Sequence, residues 1–346
     1  MKLGLMLGYA GRKLELPMDL VLEAERLGFD SCWTAEAYGS DVVSASAWML
    51  AKTTKIRVGT GIMQIPARAP TMAAMTAMSL DHLSGGRFIV GIGPSGPQVV
   101  EGWYGASYDK PLTRQREYIE IMRLVWERKG PVEYNGVHYQ LPYKGPGSTG
   151  LGKPLKSILH CDHKIPIYTA SLQPKPIAMS AELCDGFFPA WMDPDRFDVF
   201  GPSIEEGLAK AGGGKSLADF DVAPIVSVVV GEDVDACRVP VKAMLALYVG
   251  GMGARDKNFY NDYVTKLGYG AEARKIQDLY LSGKKDEAAL TVPDKLVDEI
   301  ALVGPRDRIR DHVERWKAAA AKRHVGTMIL GAIQPEALQL MAELML

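Results

Sequence analysis

The residues with the clearest chemical use lie between Leu80 and Gly96. Leu80-Asp81-His82-Leu83-Ser84-Gly85-Gly86-Arg87 reads as a helix end and a Ser-Gly-Gly turn, and Phe88-Ile89-Val90-Gly91-Ile92-Gly93 as a short apolar strand. Pro94-Ser95-Gly96 follows as a loop of small residues that lets backbone N–H groups approach a ligand. Ligands of α/β proteins bind beyond the carboxyl ends of parallel strands, so a site is expected at Gly93, Pro94 and Ser95. A second candidate is Thr169-Ala170-Ser171-Leu172-Gln173-Pro174, where a strand runs into a helix whose first N–H groups and dipole can receive a phosphate. A plain helix cap by Ser171 is the simpler use of the same residues. Glu36 is the one acid ending the apolar stretch Ser31-Cys32-Trp33-Thr34-Ala35, placed either for proton transfer or for a strand-end salt bridge.

Two other clusters invite chemistry and do not hold up. Gly147-Ser148-Thr149-Gly150-Leu151-Gly152-Lys153 satisfies a phosphate-loop spacing, yet Pro154 stands where a magnesium-binding Ser or Thr is needed and no apolar strand precedes it. A glycine-rich lid is the better reading. His160-Cys161-Asp162-His163 contains three metal-ligating residue types, but adjacent in sequence and with no partner cluster, so no metal site is expected. Asp81 and Arg87 are a candidate buried pair, and His82 belongs to the turn. Trp103, Tyr104, Tyr108, Tyr143 and Trp191 fall in segments that would surround a barrel mouth and line an apolar pocket, or serve a core or an interface between subunits.

Positioning these residues requires alternating strands and helices. Strands are expected near 2–9, 30–37, 55–63 and 87–93, with helices at 17–27, 42–52 and 71–83, completing four βα units by residue 128. Repeating that length projects to eight. The second half supplies strands at 166–170, 186–191, 221–230 and 326–331 and helices at 305–321 and 335–346. Residues 131–164, long and rich in Gly and Pro, read as a lid-like insertion. Residues 234–302 read as a helical insertion over the mouth, with Tyr248, Phe259, Tyr260, Tyr263 and Tyr269 along it.

With 346 residues and 47% apolar content the chain can bury one large core. Lys plus Arg (40) nearly cancels Asp plus Glu (41), which leaves no basic footprint for nucleic acid. Cys32, Cys161, Cys184 and Cys237 form no CxxC pair and suit reduced thiols. No run reaches membrane-spanning length and the first residues lack a signal-peptide pattern, so a soluble cytoplasmic protein is expected.

Asp81-His82-Leu83-Ser84-Gly85-Gly86-Arg87 followed by Gly91-Ile92-Gly93 resembles the signature of the bacterial luciferase-like superfamily, and Gly91-Ile92-Gly93-Pro94 is most similar to its coenzyme F420 branch, which includes methylenetetrahydromethanopterin reductases. The resemblance covers nearly the whole chain. It implies a (β/α)8 TIM barrel of the luciferase-like type with insertions at the C-terminal face. It also implies a homodimer that transfers hydride between C5 of the deazaflavin and an organic substrate. By the same resemblance a bulge with a non-prolyl cis bond at Gly61–Ile62 supports the ring, Glu36 touches the cofactor, and Thr169, Ala170, Ser171, Leu172 and Gln173 take its phosphate, though relatives usually have more glycine there. The pattern breaks at two places. Ala37 replaces a histidine and Gly96 a glutamate, which disfavours a sugar-phosphate dehydrogenase mechanism. Two alternatives stay open, an FMN-dependent monooxygenase on the same fold and a non-catalytic barrel that only binds a flavin or deazaflavin.

Overall fold

Short runs of branched and aromatic residues pair in parallel, and amphipathic segments coil around them, in a computed structural model that describes residues 1–253 and 255–346. The strands are β1 Lys2–Met6, β2 Ser31–Thr34, β3 Arg57–Thr60, β4 Met63–Gln64, β5 Phe88–Gly93, β6 Tyr134–Asn135, β7 Gln140–Leu141, β8 Ile167–Ser171, β9 Gly186–Pro189, β10 Asp221–Val222, β11 Ile225–Val230, β12 Leu302–Gly304 and β13 Thr327–Gly331. The main sheet runs β10-β9-β8-β5-β3-β2-β1-β13-β11-β12, with β4 on β5. It closes through residues 221–230. β10 pairs with β9, β11 pairs with β13, and Gly326 N–H and Ile329 N–H donate to the carbonyls of Val222 and Pro224. The segment expected as one strand is interrupted at Ala223-Pro224 because proline has no N–H to give to a ladder. Taking β10/β11 and β3/β4 as one strand each and setting β12 aside leaves a ring of eight, the expected barrel.

Side chains alternate between the two faces of this ring. Leu3, Leu5, Val58, Val90 and Ile167 point outward into the large core beneath the helices. Trp33, Ile89, Tyr168, Phe188, Ala223 and Ile329 fill the barrel as a second, inner cluster. Gly59 is required there, since a Cβ on it would stand 2.2 Å from the Trp33 ring. Asp221 accepts from the Tyr168 hydroxyl (2.8 Å) and the Thr327 hydroxyl (2.6 Å), tying three strands together.

The helices follow the expected limits within a residue or two. Gly28 (φ 90°) and Gly85 (φ 67°) close the helices Met18–Leu27 and Pro70–Ser84 in the left-handed conformation that glycine adopts without penalty. The proposed pairing of Asp81 with Arg87 does not occur. The Asp81 carboxylate accepts from His163 Nδ1 at 2.8 Å, while the Arg87 guanidinium donates to the carbonyls of Leu50 and Ile56 and the Thr53 hydroxyl. The Leu50 carbonyl, at a helix end, and the Ile56 carbonyl, in the turn before β3, are acceptors that a five-donor side chain satisfies together.

The 131–164 connection joins the end of one helix to the start of β8, so both its ends lie at the amino-terminal face of the barrel. Its β6–β7 hairpin is strapped to the outside of helix Pro111–Glu127, where the Glu117 carboxylate accepts the N–H groups of Val137, His138 and Tyr139. Farther on, the His160 carbonyl meets His82 Nε2 at 2.7 Å. These anchors strap the hairpin to the flank of that helix. Tyr143 goes with it, bonding the Pro146 carbonyl. Residues 234–251 and, with short breaks, 259–300 are helical, as short segments with π-turns, and lead into β12, which adds to the outer edge of β11.

Candidate functional site

The site begins where β3 breaks. β3 pairs with β5 at Gly59↔Ile89, and pairing resumes on β4 at Met63↔Ile92, so one extra residue bulges at Gly61-Ile62. The bond between them is cis. Where the ladder lapses, the Thr60 hydroxyl substitutes for it, donating to the Gly91 carbonyl (2.7 Å) and accepting from the Gly91 N–H (2.9 Å). That close approach explains Gly91, because a Cβ there would lie 1.8 Å from the Thr60 carbonyl oxygen. Gly93 sits against Ile62, and Gly61 against Met6.

Glu36 is buried beside this bulge and is fully engaged. Arg68 grips both its oxygens (2.8 and 3.0 Å), and the N–H groups of Gln64 (2.8 Å) and Val42 (3.3 Å) donate to them as well. The Gln64 amide in turn bridges the Glu36 carbonyl and the Ser95 hydroxyl, both at 3.2 Å. Ser95 has φ 64°, a left-handed backbone that a non-glycine residue holds only when its surroundings enforce it. Bulge, second-strand end and Gly93-Pro94-Ser95 loop are therefore one hydrogen-bonded unit with Glu36 at its centre. A carboxylate holding a bidentate arginine and two backbone donors has no free lone pair aimed at the mouth, so the geometry answers to the strand-end salt bridge and not to proton transfer.

On β8 the side chains divide by parity. Thr169 and Ser171 face the helix Pro174–Leu183, where both hydroxyls meet Ser180. Ala170 faces the mouth and is exposed. Of the expected phosphate residues, Thr169 and Ser171 are thus turned away. Leu172 and Gln173 lead into the helix, and no side chain caps it. Lys266, from the helical insertion, reaches the Gln173 amide oxygen at 3.4 Å.

The opposite half of the mouth is aromatic. Trp191, just past β9, meets Tyr248 edge-on at 5.7 Å and Tyr260 at 5.4 Å between centroids. Tyr248 and Tyr260 meet each other at 4.9 Å. The Tyr263 hydroxyl donates to the Trp191 carbonyl, and Tyr9, past the end of β1, lies close enough to Tyr248 and Tyr260 to push both phenols up. This arc spans from β9 to β1 above β11 and β13, directly across the ring from the bulge on β3. Burial pushes the Tyr260 phenol up to about 12 and Tyr248 higher still, so both stay protonated. None of the six histidines stands at a strand's carboxyl end or in the insertion. No group of three or more His, Cys, Asp or Glu is placed to hold a metal among the described residues.

Sequence reasoning located the bulge, Glu36 and the Gly93-Pro94-Ser95 loop, which the fold brings together. It did not single out Thr60, Gln64, Arg68 or Tyr9. Arg68 had one available signal, as the cation in Gln64-Ile65-Pro66-Ala67-Arg68 just beyond the break in an otherwise apolar strand.

The geometry has counterparts. The family profile described as "Luciferase-like monooxygenase" matches residues 2–323. A protein of Mycobacterium tuberculosis described as a candidate coenzyme F420-dependent oxidoreductase is 46% identical over 94% of this chain and 95% of its own length. A 5,10-methylenetetrahydromethanopterin reductase of Archaeoglobus fulgidus is 28% identical over 92% of this chain and 91% of its own. The solved coenzyme F420-dependent tetrahydromethanopterin reductase of Methanopyrus kandleri superposes with a TM-score of 0.76 at 23% identity, covering 99% of this chain and 97% of that one. A closed parallel barrel whose third strand bulges beside a Gly-Ile-Gly-Pro loop, matched over nearly its full length by that profile, places this chain in the luciferase-like family.

Proposed function

We propose that the chain is a coenzyme F420-dependent oxidoreductase, moving a hydride between C5 of the deazaflavin and an organic substrate in the aromatic half of the mouth. The carrying observation is the unit built on Glu36, which fixes a bulge and a small-residue loop as one rigid edge at the strand ends. The residues fit a flat ring. A Cβ on Gly61 would come within 2.8 Å of the Met6 methyl and one on Gly93 within 3.1 Å of Ile62, and Ala170 adds only a methyl to the opening. When bound, the deazaflavin supplies the hydride donor or acceptor, and the protein supplies orientation and exclusion of water. Ile62, Gly93, Pro94 and Ser95 hold the ring. The N–H groups after Leu172 and Gln173 receive the phosphate, and Lys175 and Lys266 add positive charge near it. Glu36 and Arg68 keep the bulge in place. The names of the relatives support the choice of cofactor.

The same reading includes a homodimer. Trp48, Met72 and Met75, on the neighbouring helices Val42–Lys52 and Pro70–Ser84, are each more than half exposed and offer an apolar face for a second copy. No helix among the described residues is long and apolar enough to cross a membrane, and the four cysteines are free, which fits the cytoplasm. Titrating the purified protein with deazaflavin and FMN side by side tests the cofactor. Deazaflavin should bind at least about tenfold tighter, a gap of about 1.4 kcal/mol. Equal or reversed affinities overturn the assignment and favour the FMN-dependent monooxygenase.

A further inference from the structure

The floor of the mouth is apolar from one side to the other. Met6, Ile62 and Ile225 are partly buried side chains packed on the inner cluster, and because that cluster fills the barrel below them, their uncovered sides face the opening. Strand parity puts Met6 there. Leu3 and Leu5 lie in the outer core, so Gly4 and Met6 point inward, and β1 ends at Met6. Met6 also lies against the bulge. A Cβ on Gly61 would stand 2.8 Å from the Met6 methyl and 3.7 Å from its sulfur, whereas Ile225 opens β11, across the ring. Among the described residues no other methionine packs on the inner cluster. Met63, just past the bulge, is buried in the outer core.

We propose that Met6 is a contact residue of the ring site: a flat heteroaromatic ring seated against the bulge at Gly61-Ile62 rests on the Met6 thioether, and oxidation of that thioether to the sulfoxide weakens its binding. The proposal rests on the deazaflavin reading for the identity of the ring. An unbranched side chain with a polarizable sulfur shapes itself to a flat face and gains from sulfur–aromatic contact, which a branched residue would not provide. With hydrogen peroxide as oxidant, a sulfur lone pair attacks one peroxide oxygen, the S–O bond forms as the O–O bond breaks, and the departing hydroxide takes the remaining proton and leaves as water. The sulfur loses two electrons and the peroxide gains them. The floor then carries a polar oxygen that must shed water whenever a ring is seated. The donors of the inner cluster are already used, Trp33 Nε1 on the Ser31 hydroxyl and the Tyr168 hydroxyl on Asp221, so that oxygen finds no partner below.

Trypsin releases Met6 in residues 3–12, which contain no other methionine, so mass spectrometry reads its oxidation alone. Deazaflavin at about ten times its Kd should slow oxidation of Met6 by peroxide about tenfold, in proportion to the free sites. Met75, on the exposed face of helix Pro70–Ser84, should oxidise at one rate with and without it. Wild type oxidised first and then titrated should bind deazaflavin at least about fivefold more weakly. Met6→Leu, which keeps the floor filled without a sulfur, should show one affinity before and after peroxide. Equal oxidation of Met6 with and without bound deazaflavin overturns the proposal. So does an oxidised wild type that keeps its affinity, or a loss on peroxide treatment that Met6→Leu shares. If untreated wild type does not bind deazaflavin, the cofactor reading fails, and the same footprint taken with FMN decides on Met6, protection sustaining the contact and its absence overturning it.

Discussion

Replacing Glu36 by Gln separates a clamp from a proton-transfer group. The amide keeps the carboxylate's shape, but one of its two heads becomes an NH2 that must face one Arg68 N–H together with the N–H of either Gln64 or Val42, donor against donor. The Arg68 side chain is only 15% exposed, and its remaining partner, Asp41 at 3.7 Å, is 47% exposed. Breaking one half of a buried pair costs about 3–5 kcal/mol, and Asp41 recovers a part, which leaves about 2–4 kcal/mol. At about 2.1 cal/mol/K per residue, 346 residues give an unfolding entropy of about 0.7 kcal/mol/K, so Tm should fall by about 3–6 °C. Deazaflavin affinity should fall with it, because the charged Arg68 clamp that fixes the bulge is weakened. Calorimetry and a cofactor titration read both. In the double variant Glu36→Leu with Arg68→Met, part of the lost stability should return, since no charge is left buried. A Tm unchanged within about 1 °C, with turnover about 100-fold slower, would refute the clamp and restore Glu36 as a proton-transfer residue.

Gly91→Ala should abolish soluble expression or cost about 3 kcal/mol or more, because its Cβ meets the Thr60 backbone oxygen. Gly61→Val meets only the tip of Met6, so the barrel should fold while deazaflavin affinity drops; wild-type affinity would remove the ring from that strand. Burial pushes the Asp185 carboxyl up, yet Arg123, Lys164 and the Ile167 N–H more than offset this and hold it below the usual aspartate range. Its contribution, about 1–3 kcal/mol, is therefore complete above about pH 4 and lost as pH falls through the lower folded value. Melts of Asp185→Asn should show the deficit at neutral pH and convergence with wild type in strong acid; a constant deficit would refute the sign. Trypsin should cut the exposed loop at Lys144 or Lys156 at one rate with and without deazaflavin, since Glu117 straps the connection to the flank; protection by the cofactor would make it a lid. Light scattering should show a dimer that Met75→Glu splits, and a monomeric wild type would leave that face without a partner.

The barrel was readable because its signals are local and repeat. Apolar runs of four to six residues, each followed by a 3.6-period helix, leave few topologies open, and Gly28 and Gly85 mark helix ends by backbone conformation alone. Elements too short to carry a period were missed. β12 spans three residues, and the break in 221–230 depends on which neighbour Pro224 faces. Asp81 and Arg87 looked like partners because they are near in sequence, but side-chain reach decides pairing, and His163 and the Leu50 and Ile56 carbonyls lie closer in space.

The two sides of the mouth differ in legibility for a physical reason. The proposed cofactor side is backbone, a bulge and a loop whose small residues are needed for close approach, and glycine advertises such needs in sequence. Parity would have refined it: Tyr168 fills the barrel, so Ala170 must face inward and Thr169 and Ser171 outward toward Ser180. The proposed substrate side is made by side chains of an insertion, and nothing in Tyr248 or Tyr260 says which strand end they will cover until the helices of that insertion are docked. A barrel of this kind can keep its cofactor edge unchanged while substitutions in that insertion reshape the opposing wall. Substrate choice should therefore follow Trp191, Tyr248, Tyr260 and Tyr9, and cofactor choice the Glu36 unit across from them.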